Sequence, residues 1–263
     1  VSVDDFADHF SGHAAEYARY RPRYPAALFD FVASLANRHQ LAWDCATGNG
    51  QAAVALAVHF TSVIATDASE QQLRHAVTHP RIDYRHAAVE DSGLDAASVD
   101  LVTAATAVHW FDLDPYYAEV RRVCRPGAVI ALWTYLPHLE VTPAIDRLVD
   151  TLALETLASH WAPQVFRYAR EGYAGLPFPF EELSAPDFGC RAAWNADGLC
   201  QYLRTWSAVR AYQRATLSDP VAALTPEIHA HWGDPAKVRE VKFPLHLRVG
   251  RVEPANPRAC GVS

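Results

Sequence analysis

The apolar positions of this chain change period along its length, and each change marks an element. Residues 1–39 read as helical: in YRPRYPAALFDFVASLANR, Pro25 stands at a first helical position, and Leu28, Phe29, Val32 and Leu35 follow at helical spacing. From residue 41 short apolar runs alternate with helical stretches, giving strands at 41–45, 62–66, 82–86, 99–105 and 128–134 and helices at about 51–59, 69–77 and 115–124. Ser69 with Gln72 three residues on forms a capping box. Asp114 and Pro115 read as an N-cap and its N1 proline, and Gly127 in RPGA reads as the stop of that helix. This alternation implies a parallel, doubly wound sheet whose ligand sits at the carboxyl ends of the strands.

The alternation breaks at 137–178, where TPAIDRLVDTLALETLASHW is helical and GYAGLPFPFEEL follows, so this segment reads as an inserted helical cap. Strand character returns at FEEL and CRAAW. A helix over 198–209 follows, with Asp197 as its N-cap candidate, then a helix near 219–232 and a closing strand at 238–252. The divisions expected are a helical segment 1–39, a core 40–136, the cap 137–178, a completing region 179–252 and a loose tail 253–263.

Composition narrows the function classes. Half of the 263 residues are apolar and the net charge is −7, which lacks the basic face that a general nucleic-acid binder needs. Apolar runs such as AVIALW are far too short to cross a bilayer, and VSVDDFADHF lacks the cationic flank and apolar stretch of a secretory signal. The expectation is a soluble, cytoplasmic protein. Five cysteines without a CxxC read as reduced, mostly buried thiols, and His229 with His231 is a weak metal pair, so no metal is expected.

The chemistry concentrates at WDCATGNGQAA. Gly48-x-Gly50-x-x-Ala53 fits a dinucleotide fingerprint as well as other nucleotide-like cofactors, and Asp67 at the end of the second strand can accept ribose hydroxyls in either case. Asp44 discriminates. A fixed carboxylate about 4 Å from a pyrophosphate costs about 4 kcal/mol at an effective dielectric of about 20, whereas a cofactor with an ammonium and a sulfonium is attracted. An Asp44 that merely pins the turn through backbone N–H groups is compatible with both ligands. The glycine strand also follows about 40 helical residues, where dinucleotide domains commonly begin at that strand.

DCATGNGQAA, ATDAS, AAVEDSGL, SVDLVTAATAVHWFD and VCRPGAVIALWTY together resemble the class I S-adenosylmethionine-dependent methyltransferases of the type 11 group. EYARYRPRYP and YLRTWSAVRAY are similar to the small-molecule branch that includes trans-aconitate methyltransferases. The resemblance implies a Rossmann-like α/β fold: a seven-stranded, mostly parallel sheet with helices on both faces, an antiparallel last strand and a helical cap. It implies S-adenosyl-L-methionine as cofactor, held by Asp44, Ala46, Gly48, Gly50 and Gln51 at the turn, with Asp67 at the ribose and Ala68, Val89 and Glu90 at the adenine. Ala104 and Ala105 would offer backbone to the methionine amino group. Ala46 departs from the family's first loop glycine and adds a Cβ where backbone approaches the ligand, which affects affinity unless the turn keeps φ negative there.

Methyl transfer from a sulfonium needs alignment and exclusion of water more than strong acid–base groups. His109 is a candidate general base or substrate donor, and Trp110 a candidate wall for the sulfonium. Tyr17, Tyr20, Arg21 and Tyr24 lie on a segment read as a lid over the cofactor, with Tyr17 and Arg21 on the cofactor side. Arg21 could clamp a carboxylate of cofactor or substrate, and Tyr135, Trp206 and Arg204 are further candidates around the acceptor. The expected partner is a small-molecule acceptor, with a small acid suggested by the resemblance. An NAD(P)-dependent oxidoreductase and a cofactor binder without methyl transfer are the alternatives. Oligomeric state is not legible.

Overall fold

The computed structural model describes residues 20–135 and 138–253. They form two compact units. The sheet unit comprises Ala26–Trp133, Pro177–Pro186 and the described residues from Leu247 onward. The helical unit comprises the described part of Val1–Pro25, Thr134–Leu176 and Asp187–His246.

In the sheet unit, helix α1 (Ala26–Leu35) precedes β1 (Leu41–Cys45), α2 (Gln51–Leu56), β2 (Ser62–Asp67), α3 (Glu70–Arg74), β3 (Ile82–His86), β4 (Val99–Ala105), α4 (Leu113–Val123) and β5 (Cys124–Thr134). A short strand β6 (Glu181–Glu182) and the second half of β8 (Arg239–Val252) complete it. The sheet order is β3-β2-β1-β4-β5-β8-β6. The pairs β1–β2, β1–β4, β2–β3 and β4–β5 are parallel and β6–β8 is antiparallel. The order reverses beside β1, so the carboxyl ends of β1 and β4 border the crevice where such sheets bind ligands. Strands β1, β2, β4 and β5 are buried almost throughout, as central parallel strands must be, whereas β3 at the edge is largely exposed. Helix α1 buries Leu28, Phe29 and Val32, three of the four residues its period selects, while Leu35 at its end is half-buried, and Phe29 meets Trp133 edge-on at 5.9 Å.

The helical unit holds α5 (Pro143–Thr151), a π-turn (Leu152–Thr156), α6 (Pro163–Arg170), β7 (Phe188–Trp194), α7 (Ala196–Arg204), α8 (Ser207–Thr216) and α9 (Pro220–Trp232). Strand β7 pairs antiparallel with the first half of β8, bringing the sheet to eight strands where seven were expected.

Local expectations differ at four places. Helix α4 starts after Asp112, so Asp114 and Pro115 lie inside its first turn, and Cys124 ends it in an extended conformation. Gly127 therefore lies within β5 at φ +76, near the register shift between Val99 and Leu101, rather than at a helix end. The helix expected over 198–209 breaks at Thr205–Trp206 into α7 and α8. Asn195, not Asp197, caps α7 by accepting from the Gly198 N–H at 2.9 Å, while Asp197 pairs with His229. The Ser69 cap is present, its hydroxyl accepting from the Gln72 N–H. Cys45, Cys124, Cys190 and Cys200 are buried free thiols.

Candidate active site

The parallel register sets one row of side chains across the sheet: Tyr84, Ala65, Asp44, Thr103 and Ala131 are successive partners on β3, β2, β1, β4 and β5, and so share a face. Asp44 is 1 % exposed. Its Oδ1 accepts from the Thr103 hydroxyl at 2.6 Å and its Oδ2 from the Thr47 hydroxyl at 2.6 Å, and the Ala53 N–H donates to it as well. Burial raises its pKa to about 6 against the pull of these donors. Ala65 beside it is small, which lets the Tyr84 ring reach the turn, where its hydroxyl donates to the Val77 carbonyl at 2.9 Å. Burial, with the Asp44 charge second, pushes the Tyr84 phenol up to about 12.

The turn after β1 takes three left-handed steps: Ala46 at φ +49, Gly48 at +58 and Gly50 at +85. Ala46 therefore does not keep the negative φ that would spare it strain, and an L-residue in this region costs roughly 1–2 kcal/mol. The Thr47 N–H donates to the Thr66 carbonyl at 2.9 Å and the Gly50 N–H to the Thr47 carbonyl at 3.0 Å, which holds the turn against β2. Gln51 opens α2 directly after Gly50.

Asp67, 3 % exposed at the end of β2, is fixed the same way. Its Oδ2 accepts from the Gly48 N–H and its Oδ1 from the Ser69 N–H, both at 2.8 Å, leaving lone pairs on each oxygen. Burial raises its pKa, with the two backbone donors and His86 opposing. The Ala87 N–H donates to the Asp67 carbonyl, and an Ala88–Asp91 bridge folds Val89 and Glu90 back beside this strand end. The Ala68 carbonyl lies 3.0 Å from His86 Nε2.

At the end of β4, Ala104 is buried and Ala105 leads into Thr106, whose φ is +54. That is a strained conformation for a β-branched residue. The Thr106 N–H donates to the Trp133 carbonyl at 2.7 Å, which fixes the bend. A 3-10 turn, Val108–Trp110, then carries His109 and Trp110, ring centroids 5.6 Å apart. His109 is 4 % exposed and burial lowers its pKa to about 3, leaving a neutral, weakly basic imidazole at physiological pH.

Arg21 and Tyr135 belong to the helical unit, where an Arg21 Nη1 hydrogen donates to the Tyr135 hydroxyl at 3.0 Å. Tyr24 and Phe243 pack on the Tyr135 ring at 6.0 and 5.7 Å. Arg204 pairs with Asp219 at the N-terminus of α9, a structural use. Tyr17 lies outside the described residues. Sequence reasoning missed Thr103, Thr47, Tyr84 and Thr106. In β4, Thr103 stands out only as one of two polar residues, with Asp100, in a buried strand.

An open, mostly parallel α/β sheet places a left-handed glycine turn between two buried acidic strand ends at its switch point, where sheets of this kind bind ligands. The charged side chains fixed there, Asp44 and Asp67, are carboxylates, acceptors that suit ribose hydroxyls and an ammonium rather than a pyrophosphate. Residues 43–132 match the family described as a methyltransferase domain. A solved candidate type II methyltransferase from Anaeromyxobacter dehalogenans is 46% identical, with a TM-score of 0.82 over 89% of this chain and 99% of that one. A candidate methyltransferase from Dictyostelium discoideum is 28% identical over 256 residues, 94% of this chain and 96% of that protein. A candidate antibiotic-biosynthesis methyltransferase from Anabaena variabilis, 18% identical with a TM-score of 0.53, shares the fold. The chain belongs to the methyltransferase family, with a Rossmann-like class I fold and S-adenosylmethionine as its methyl donor. No helix among the described residues is long and apolar enough to cross a membrane.

Proposed function

We propose that this enzyme methylates a small-molecule acceptor, a small carboxylic acid, and that the turn between β1 and β2 holds its cofactor. The observation that carries the cofactor assignment is the pair of buried carboxylates, Asp44 and Asp67, fixed by their own fold on either side of the left-handed turn. When bound, S-adenosylmethionine supplies an electrophilic methyl on a sulfonium and leaves as S-adenosylhomocysteine. Asp67 accepts the ribose hydroxyls on the lone pairs that Gly48 and Ser69 leave open. Ala68, Val89 and Glu90 border the adenine. Asp44, ionised above pH of about 6, keeps Gly48, Gly50 and Gln51 in register and favours the ammonium, with the backbone of Ala104 and Ala105 beside it. Ala46 contributes backbone curvature.

Trp110 offers a π-face to the sulfonium. His109 is assigned as a neutral hydrogen-bond partner rather than a base, because a general base works best with a pKa near the operating pH. A carboxylate acceptor is consistent with that, since it is already ionised and nucleophilic. Arg21 with Tyr135 is the anion-recognition candidate of the helical unit.

The reading is tested by incubating the protein with S-adenosylmethionine and a panel of small carboxylic acids, amines, phenols and thiols, with mass spectrometry of products. Methyl esters of one or more acids, with matching S-adenosylhomocysteine, are expected. Turnover confined to amines, phenols or thiols would remove the carboxylate assignment.

A further inference from the structure

At the end of the sheet opposite the glycine turn, β5 departs from the register of β4. Val99 pairs with Cys124 and Leu101 with Val129, so Arg125–Ala128 stand against Asp100 alone. Irregularities of this kind re-aim side chains and recur beside active sites. Here they border an open cavity of about 570 Å³, whose lining also takes in Asn37 and Arg38 from the loop before β1 and Ala97 from the loop before β4. All of these residues belong to the sheet unit. Along β4, Asp100 is separated from Ala105 at the other end by about 17 Å of strand.

The charges of the cavity are unequal. Asp100, 3 % exposed, is spent inward: its Oδ2 accepts from the Gln40 and Leu41 N–H groups at 2.8 and 3.0 Å, and its Oδ1 from an Arg125 Nη1 hydrogen at 2.6 Å. The rest of the Arg125 guanidinium remains available to donate. Arg38 is exposed and has no ion pair or hydrogen bond among the described residues. The Asn37 amide stands close over Gly127, where a Cβ would lie 3.2 Å from its Nδ2. An Arg251 Nη1 hydrogen donates to the Gly127 carbonyl at 3.0 Å, which fixes this part of the wall. Ala97 is held left-handed at φ +51, its N–H donating to the Arg122 carbonyl at 3.0 Å, and such strained residues cluster at ligand sites.

We propose that this cavity is a second binding site, separate from the cofactor turn, for a small phosphomonoester. Arg38, Arg125 and Asn37 donate to its phosphate, and Ala97, Pro126 and Ala128 offer apolar surface to its body. Two guanidinium groups and an amide offer more N–H donors than the two oxygens of a carboxylate can take. A phosphomonoester brings three terminal oxygens and a charge near −2 at pH 7. The volume falls in the range of pockets that take small organic molecules rather than a bare ion. The proposal does not depend on methyl transfer.

Phenyl phosphate, inorganic phosphate and benzoate are titrated by calorimetry into the full chain, with and without excess S-adenosylhomocysteine. The variants are Arg38→Gln and Asn37→Asp, both at exposed positions. Phenyl phosphate should bind one-to-one, equally well with S-adenosylhomocysteine present, and more tightly at pH 7.5 than at pH 5 as the phosphate gains its second charge. R38Q and N37D should each weaken it about 10-fold or more, through a lost charge-assisted bond and an added repulsion, with melting temperatures of the free variants unchanged. Benzoate should bind about 10-fold more weakly than phenyl phosphate, and inorganic phosphate several-fold more weakly. Absence of saturable binding would overturn the proposal, as would equal affinity in wild type and both variants or displacement by S-adenosylhomocysteine. Benzoate as tight as phenyl phosphate would overturn the phosphate assignment, and inorganic phosphate as tight would overturn the ester.

Discussion

Replacing Thr103 by Val removes one hydroxyl from a fully buried position and leaves the shape of β4 almost unchanged. The lost contact is the 2.6 Å bond to Asp44 Oδ1. Hydrogen bonds to charged groups contribute roughly 1.5–3 kcal/mol, and about 1.4 kcal/mol corresponds to one pKa unit. The variant should therefore raise the Asp44 pKa from about 6 to about 7–8. Asp44 already has a folded pKa above its ordinary 3.8, so the folded state binds the proton more tightly than the unfolded chain. Between 3.8 and about 6 its contribution to stability falls as pH rises, and it is level above that range. In T103V the fall extends to about pH 7–8, so the cost of the substitution depends on pH. It should be near zero at pH 5, where both proteins carry a protonated Asp44. It should be about 1 kcal/mol at pH 7, where protonation replaces the lost bond, and about 2–3 kcal/mol at pH 9, where both are ionised. Urea unfolding at the three pH values measures this directly. A cost that is the same at all three would refute the coupling between Thr103 and the ionised carboxylate.

Gly50→Ala places a Cβ into the Tyr84 hydroxyl at φ +85 and should destabilise by roughly 2–4 kcal/mol, read by thermal unfolding, with partial recovery in G50A/Y84F. Ala46→Gly relieves a left-handed alanine but adds unfolded-chain freedom, so it should be neutral to about 1 kcal/mol stabilising, and a marked loss in the same assay would contradict the strain assigned there. Once an acceptor is known, kcat between pH 5 and 8 should show no inflection that disappears in His109→Gln, because burial keeps that imidazole neutral down to about pH 3. An inflection near pH 6–7 lost in H109Q would restore His109 as a titrating base.

Much of this fold was legible because central parallel strands announce themselves by continuous burial and their helices by period. The ends of β1 and β4 fall at Cys45 and Ala105, as the apolar runs indicated, and β2 runs one residue further than expected, to Asp67. What failed was local chemistry that tertiary pairing overrides. Gly127 looked like a helix stop, yet its positive φ serves the strand beside the β4–β5 register shift. The helix over 198–209 carried no breaker, yet the chain leaves helical geometry at Trp206, after Thr205 has turned its hydroxyl back onto the Tyr202 carbonyl. In the site, the acidic positions could be picked from their places at strand ends. Their partners could not, since Thr103 stands 59 residues from Asp44 in sequence and meets it only through strand register. The Asp44 argument from sequence weighed charge alone, whereas the structure adds three donors that also make it a pin for the turn.

Calorimetric titration of the purified protein with S-adenosylhomocysteine, and in parallel with NAD, tests the central claim most directly. The account predicts saturable one-to-one binding of S-adenosylhomocysteine and none of NAD. Heat on titration with NAD, and none with S-adenosylhomocysteine, would contradict it.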